Sequence, residues 1–177
     1  MQFSTVILVA FTSTSTMANY NISMYQHRNC FFKAGKVCTN LGSRECCKSD
    51  GDKYKSAKFV EVGGGKPSID QLKLYTDKDC GSAAVQQKSG NSCVSHSKKE
   101  VLSSQVFVIV HDSDEEDMAP VKVVEPDEVF MEEGRFRYTV KRDSAEGRTY
   151  EELENIEDQL EYLRELGRRE EIAEDVE

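Results

Sequence analysis

Hydrophobic positions along the chain fall into short runs separated by polar, turn-forming stretches. Residues 57–62 (AKFVEV) partly alternate before GGGKP at 63–67, and residues 72–75 (LKLY) alternate before TDKDCG. Residues 101–110 (VLSSQVFVIV) end in a continuous apolar run rich in β-branched side chains, the pattern of a strand buried on both faces. Up to residue 111 no ten-residue window has clean helical period. The pattern predicts a mostly β fold, a small antiparallel sandwich of Greek-key type.

The last third reads differently. Residues 128–141 (EVFMEEGRFRYTVK) predict a hairpin with its turn at Glu132-Glu133-Gly134. Phe136, Tyr138 and Val140 share one strand face, and Arg135, Arg137 and Thr139 the other. Thr149 and Glu152 have capping-box spacing, which predicts a helix opening there. Leu153, Ile156, Leu160 and Leu163 follow at 3-4-3 spacing as one apolar stripe. Such a stripe is either docked on its own domain or offered to a partner.

The N-terminus bears on compartment. FSTVILVAF at 3–11 is too short for the ~20 residues of a membrane span. A Ser/Thr stretch follows, then Thr16-Met17-Ala18, with small residues at −3 and −1 of a cut after Ala18. This is the outline of a secretory signal peptide over 1–18, so the expected location is extracellular. No later segment is long and apolar enough to anchor the chain in a membrane. Asn21-Ile22-Ser23 is an N-glycosylation sequon just past the cut, expected to be exposed.

Charge divides the chain. The whole carries a net −9, but residues 19–111 hold 14 Lys+Arg and 8 Asp+Glu, a net +6. Residues 112–177 hold 9 and 24, a net −15. Such asymmetry predicts separate modules. The expected organisation is a cysteine-rich β domain (19–111), an acidic linker (112–127), a hairpin and loop (128–148) and an acidic helix and tail (149–177). The basic module invites a polyanion reading through Lys48, Lys53, Lys55 and Lys58 around Tyr54. A net +6 is modest, which argues against nucleic acid and leaves polysaccharide or another cell-surface target. The acidic tail would then mask the basic module intramolecularly. Lys141-Arg142 is a dibasic pair of the type cut in the secretory route, so a toxin or inhibitor released after Arg142 is an alternative.

All six cysteines, Cys30, Cys38, Cys46, Cys47, Cys80 and Cys93, lie in the basic module. An even count in a secreted domain predicts disulfides, and six cysteines allow fifteen connectivities. The turn-rich loop between Cys80 and Cys93 favours a local bond there. That would leave Cys30 and Cys38 for the adjacent Cys46 and Cys47, whose side chains point to opposite faces of an extended chain. Zinc is disfavoured because no C-x2-C pair occurs. No metal or other cofactor is expected.

The leader MQFSTVILVA, the order C…C…CC…C…C, YKSAKF after the doublet and LYTDKDCG resemble fungal small secreted cysteine-rich proteins over residues 1–110. Some of these have a βγ-crystallin-like sandwich. The resemblance implies a secreted, disulfide-stapled β protein of effector type acting at a host or competitor surface. It implies no reaction. The stretch Asp52-Lys53-Tyr54-Lys55-Ser56-Ala57 departs from the crystallin calcium signature at Lys53 and Ala57.

Catalytic motifs are scarce. No G-x-S-x-G, H-E-x-x-H or P-loop occurs. His96 with Glu61 or Glu100 is the one arrangement that could serve a small hydrolase or ribonuclease. Asp112, Asp114 and Glu116 have D-x-D-x-E spacing, but Asp117 stands where an EF-hand needs Gly. The primary expectation is a non-catalytic interaction protein, with the His96 enzyme as an alternative.

Overall fold

A computed structural model describes residues 18–31, 34–64, 69–90, 92–108 and 122–172. Residues 1–17, which hold nearly all of the expected signal peptide, the D-x-D-x-E acids and most of GGGKP lie outside these residues. In chain order the first strands are β1 (Asn19–Tyr25), β2 (Ala34–Gly42), β3 (Glu45–Lys48), β4 (Ser56–Gly63), β5 (Gln71–Tyr75) and β6 (Gln86–Ser89). β7 (Val94–Ser95), β8 (Ser103–Phe107), β9 (Lys122–Val124), β10 (Glu128–Glu133) and β11 (Phe136–Lys141) follow. Helices α1 (Ala145–Glu152) and α2 (Ile156–Leu166) lead to β12 (Arg168–Glu171).

One sheet has the order β12-β11-β10-β2-β1-β4-β7, the other β6-β5-β8-β3-β9. Their pairings are antiparallel except β3 with β9, which is parallel. Alternation dictates the layering. Tyr20, Ile22 and Met24 of β1 point inward with Ala57 and Phe59 of β4. They meet Leu72 and Leu74 of β5 and Val106 of β8 from the facing sheet. Each large side chain so buried contributes about 1.5–3 kcal/mol. The mostly β, antiparallel, disulfide-stapled fold read from the pattern is the fold observed.

The basic module and the acidic third share a sheet. β10 pairs with β2, with Glu128 opposite Val37 and Met131 opposite Ala34. The strand Lys122–Val124, inside the stretch read as linker, pairs with Glu45–Cys47. The hairpin is present, but its two-residue turn is Gly134-Arg135, closed by Glu133 opposite Phe136. Gly134 has φ +56°, a conformation that favours glycine. On the hairpin's inner face Val129, Met131 and Tyr138 are covered by Tyr150 of α1 and Leu163 of α2. The helices thus continue the layer that the second sheet begins. On the outer face Phe130 packs edge-on against Tyr25, ring centroids 5.1 Å apart, beside Val37.

The single helix expected from Thr149 is instead two. Ser144 caps α1, its hydroxyl accepting from the Gly147 N–H, and Asn155 caps α2 by accepting from the Glu157 N–H. Thr149 lies inside α1 and donates to the Ala145 carbonyl, while Glu152 is the helix's last residue. Ser144 and Asn155 win because each presents an acceptor at an extended residue directly before a helical turn. The stripe consequently splits. Leu163 is fully buried and Leu160 packs beside it, Leu153 is the C-cap residue of α1, and Ile156 is 55% exposed. Among the described residues no helix is long and apolar enough to cross a membrane.

Candidate functional site

Six cysteines form three bonds: Cys30–Cys93, Cys38–Cys47 and Cys46–Cys80. The adjacent pair lies in β3, so its side chains leave on opposite faces. Cys47 points into the sandwich and ties β3 to β2 across the two sheets. Cys46 points to the other side, packing with Tyr75, Cys80 and Ala84. Cys80 therefore bonds Cys46 and not Cys93, correcting the local loop expected from sequence. Between those two cysteines the chain makes β6 in one sheet and crosses to β7 in the other, so closeness in sequence does not bring them together. Cys93 instead anchors the short turn Arg28–Cys30, where Asn29 has φ +58° and its N–H donates to Ser95 Oγ.

A partly buried ion cluster forms where sandwich, loop and α1 meet. Lys36 projects inward from β2, with its Nζ 2.7 Å from Asp50 Oδ2, 3.0 Å from Asp52 Oδ2 and 3.3 Å from Glu151 Oε1. Arg142, just past β11, places Nη2 2.6 Å from Asp50 Oδ2 and Nε 2.6 Å from Glu151 Oε1. Its Nη1 donates to the Pro126 carbonyl at 3.0 Å. Burial alone would raise the Asp50 carboxyl, but the hydrogen bond and charge of Lys36, with Arg142 beside it, hold it below the usual carboxylate range. Burial raises the Tyr54 hydroxyl, and the charges of Asp50 and Asp52 raise it further. Gly147 lets α1 close over this point, since a Cβ there would strike the Lys141 carbonyl and the Arg142 backbone. The cluster joins Lys36, Asp50 and Asp52 of the basic module to Arg142 and Glu151 of the acidic third.

A second cluster lies on the outer face. Arg137 Nε donates to Glu132 at 2.9 Å, Nη2 to the Tyr25 hydroxyl at 2.9 Å and Nη1 to Ser23 Oγ at 3.1 Å. Its guanidinium also sits 4.3 Å from the Phe130 ring centroid. Burial raises the Tyr25 hydroxyl, opposed by Arg137. Nη1 and Nη2 tie the hairpin to β1, while Nε bonds Glu132 within the hairpin.

The other residues singled out in the sequence are scattered. Lys48 pairs with Glu125 at 3.1 Å and Lys53 with Glu100 at 3.0 Å. Lys58 faces outward beside Ser23, and Lys55 is exposed near the edge strand β7. Lys48 lies on β3, Lys58 on β4, and Lys53 and Lys55 in the loop between them. His96 donates its backbone N–H to the Lys55 carbonyl, which places it at the start of β4. Glu61 lies six residues along that strand, about 20 Å away at ~3.3 Å per residue. Glu100 is engaged by Lys53 at 3.0 Å. Asn21 is half-buried on a central strand, where its Oδ1 accepts the Asn40 N–H at 2.8 Å. The sequon expected to be exposed is thus half-buried at Asn21, because β2 and β4 flank it on both sides. Ala18 opens the described chain and is buried against the core. Among the described residues no group of three or more His, Cys, Asp or Glu forms a metal-binding set.

The part of the chain carrying the three bridges matches a family model over residues 21–127, described as the ARB_05566_N N-terminal domain. The chain belongs to this family. The match begins inside β1, runs through β9 and ends just before β10. The hairpin, helices and β12 lie beyond the match, yet extend the family domain's own sheet through β2. No curated protein and no solved structure matches the chain.

Neither ion cluster was predicted from sequence. Asp50, Lys36 and Arg142 stand far apart in the chain among many other charged residues, and no spacing rule connects them. The available signal was weaker: Lys36 sits at an inward position of β2, where a lone charge requires a partner.

Proposed function

We propose that the chain is an extracellular interaction protein of effector type that binds a host or competitor surface by contact, without catalysis. Three disulfides suit an oxidising compartment. The observation that carries the binding reading is the ion cluster of Lys36, Asp50, Glu151 and Arg142. It ties α1 to the sandwich through Glu151, and Leu163 packs α2 on the hairpin, so their outward side is a fixed surface. That surface is strongly acidic: Glu154, Glu157, Asp158, Glu161 and Glu165 are exposed. A rigid acidic surface fits a cationic partner. The stripe side of α2 faces its own domain, so the contact surface is the opposite one.

The test is binding of the labelled full chain to intact host or competitor cells. A triple charge reversal at Glu157, Asp158 and Glu161 to Lys should lower cell-bound label several-fold, and wild-type binding should fall as salt is raised. Unchanged binding by the triple variant contradicts this reading. Turnover of an offered substrate such as RNA, lost in His96→Ala, would replace it with the enzyme reading.

A further inference from the structure

On the outer face of the seven-stranded sheet, Asn21 of β1 stands directly opposite Val60 of β4. Val62 follows two residues along β4 on the same face. Val60 is 43% and Val62 49% exposed, an apolar strip on the sheet's outer face. Asn21 turns its Oδ1 to the Asn40 N–H, and its Nδ2 makes no hydrogen bond among the described residues. The structure thus fixes the acceptor end of this amide and leaves the nitrogen end, the atom that carries sugar in an N-x-S sequon, uncommitted.

We propose that Asn21 carries an N-linked glycan whose first sugars lie over Val60 and Val62 and shield that strip from water and from other chains. The step needs a lipid-linked diphosphate oligosaccharide, the donor in the secretory route. Nδ2 bonds to the anomeric carbon of the first sugar, the bond from that carbon to the diphosphate oxygen breaks, and the amide loses one proton. Transfer precedes folding. Ser23, the sequon hydroxyl, is buried and accepts from Arg137 Nη1, which lies 114 residues further along the chain. Before β11 is made, that hydroxyl is free, and β1 is among the first segments to emerge. Once β2 and β4 pair on either side, the glycan has only the outer face to occupy, and Val60 is its nearest apolar neighbour.

This inference rests on the extracellular reading, and the experiment separates the two. The full chain is expressed with its own N-terminus in a eukaryotic secretory host, and the medium protein is weighed intact before and after enzymatic N-glycan removal. The expected result is one glycan, placed on Asn21 by peptide mapping and lost in Asn21→Gln. Glycan removal from the folded protein should raise binding of a hydrophobic dye several-fold, and a Val60→Ser/Val62→Ser variant should show no such rise. Secreted protein without sugar on Asn21, or dye binding unmoved by glycan removal, overturns the inference while leaving the extracellular reading intact. Protein retained in the cytosol overturns both.

Discussion

Arg142 Nη2 lies 2.6 Å from Asp50 Oδ2, a contact between the last β-hairpin residue's neighbour and a loop 92 residues earlier that is mostly out of water. The Asp50 side chain is 8% exposed. Lys36 bonds the same oxygen, so two cations share one carboxylate oxygen. Removing one partner from such a pair leaves a buried charge short of compensation. Arg142→Ala should destabilise the fold by about 2–4 kcal/mol. Denaturant unfolding of the disulfide-intact protein measures it, with Arg148→Ala as an exposed control expected to change little.

The same cluster sets an acid limit. The Asp50 carboxyl is held below its ordinary value, so its ionised form is worth more folded than unfolded. That contribution is present above the unfolded carboxylate pKa and is lost as pH falls through the lower folded value. Asp77 acts in the same direction: burial opposes it, but bonds from Ser82, Gly81 and Asp79 hold it low. At the alkaline end, burial pushes the Tyr150 hydroxyl up to about 12, and Tyr25 and Tyr54 are raised too. Unfolded tyrosines ionise near pH ~10 while these stay protonated, so stability falls as pH rises above that value. Thermal unfolding across pH should show a plateau bounded on both sides in this way.

The helix stripe is divided, and side-chain truncation should show it. Leu163→Ala empties a fully buried site between α2 and the hairpin and should cost about 2–4 kcal/mol. Ile156→Ala, at the exposed first position of α2, should change stability by less than about 0.5 kcal/mol. Equal effects would mean that α2 is not docked as described. Gly147→Ala probes the same seam from α1, because the new methyl meets Lys141 and Arg142 backbone with no room to move, and it should lower the melting temperature.

Disulfide mapping by mass spectrometry should give 30–93, 38–47 and 46–80. The bridges close separations of 63, 9 and 34 residues. On loop-closure entropy the paired Cys30/Cys93→Ser variant should lose the most, about 4 kcal/mol, against about 2.5 for Cys38/Cys47→Ser before any packing loss. Cys38 and Cys47 are both in the core, so their measured cost should exceed the entropic figure.

Much of the sandwich was legible because its strands carry strong local signals. AKFVEV, LKLY and the hairpin around Gly134 all became strands, and the pairing of Phe136, Tyr138 and Val140 on one face follows from alternation alone. Lys122–Val124 was hidden, being three residues among acids whose strand state depends on β3 lying alongside. The helix start was misplaced because Thr149 and Glu152 have the right spacing inside a helix as well as at its end. The Cys46–Cys80 bond was not legible, since it depends on β5 bringing Tyr75 and the following turn under β3. The union of the two charge halves was the least visible feature. Net charge reports composition, whereas the union rests on β2 pairing with β10 and on Arg142 meeting Asp50.

The central claim is that the basic family domain and the acidic third form one folded unit. Native-state hydrogen exchange read by mass spectrometry tests it most directly, peptide by peptide, in the disulfide-intact chain. The account predicts that amides of β2 (34–42) and of β10 and β11 (128–141) open together with the same free energy, and that Arg142→Ala lowers both equally. If residues 128–172 exchange orders of magnitude faster than β1, β2 and β4 in the unaltered protein, the acidic third is a loose appendage and the account is contradicted.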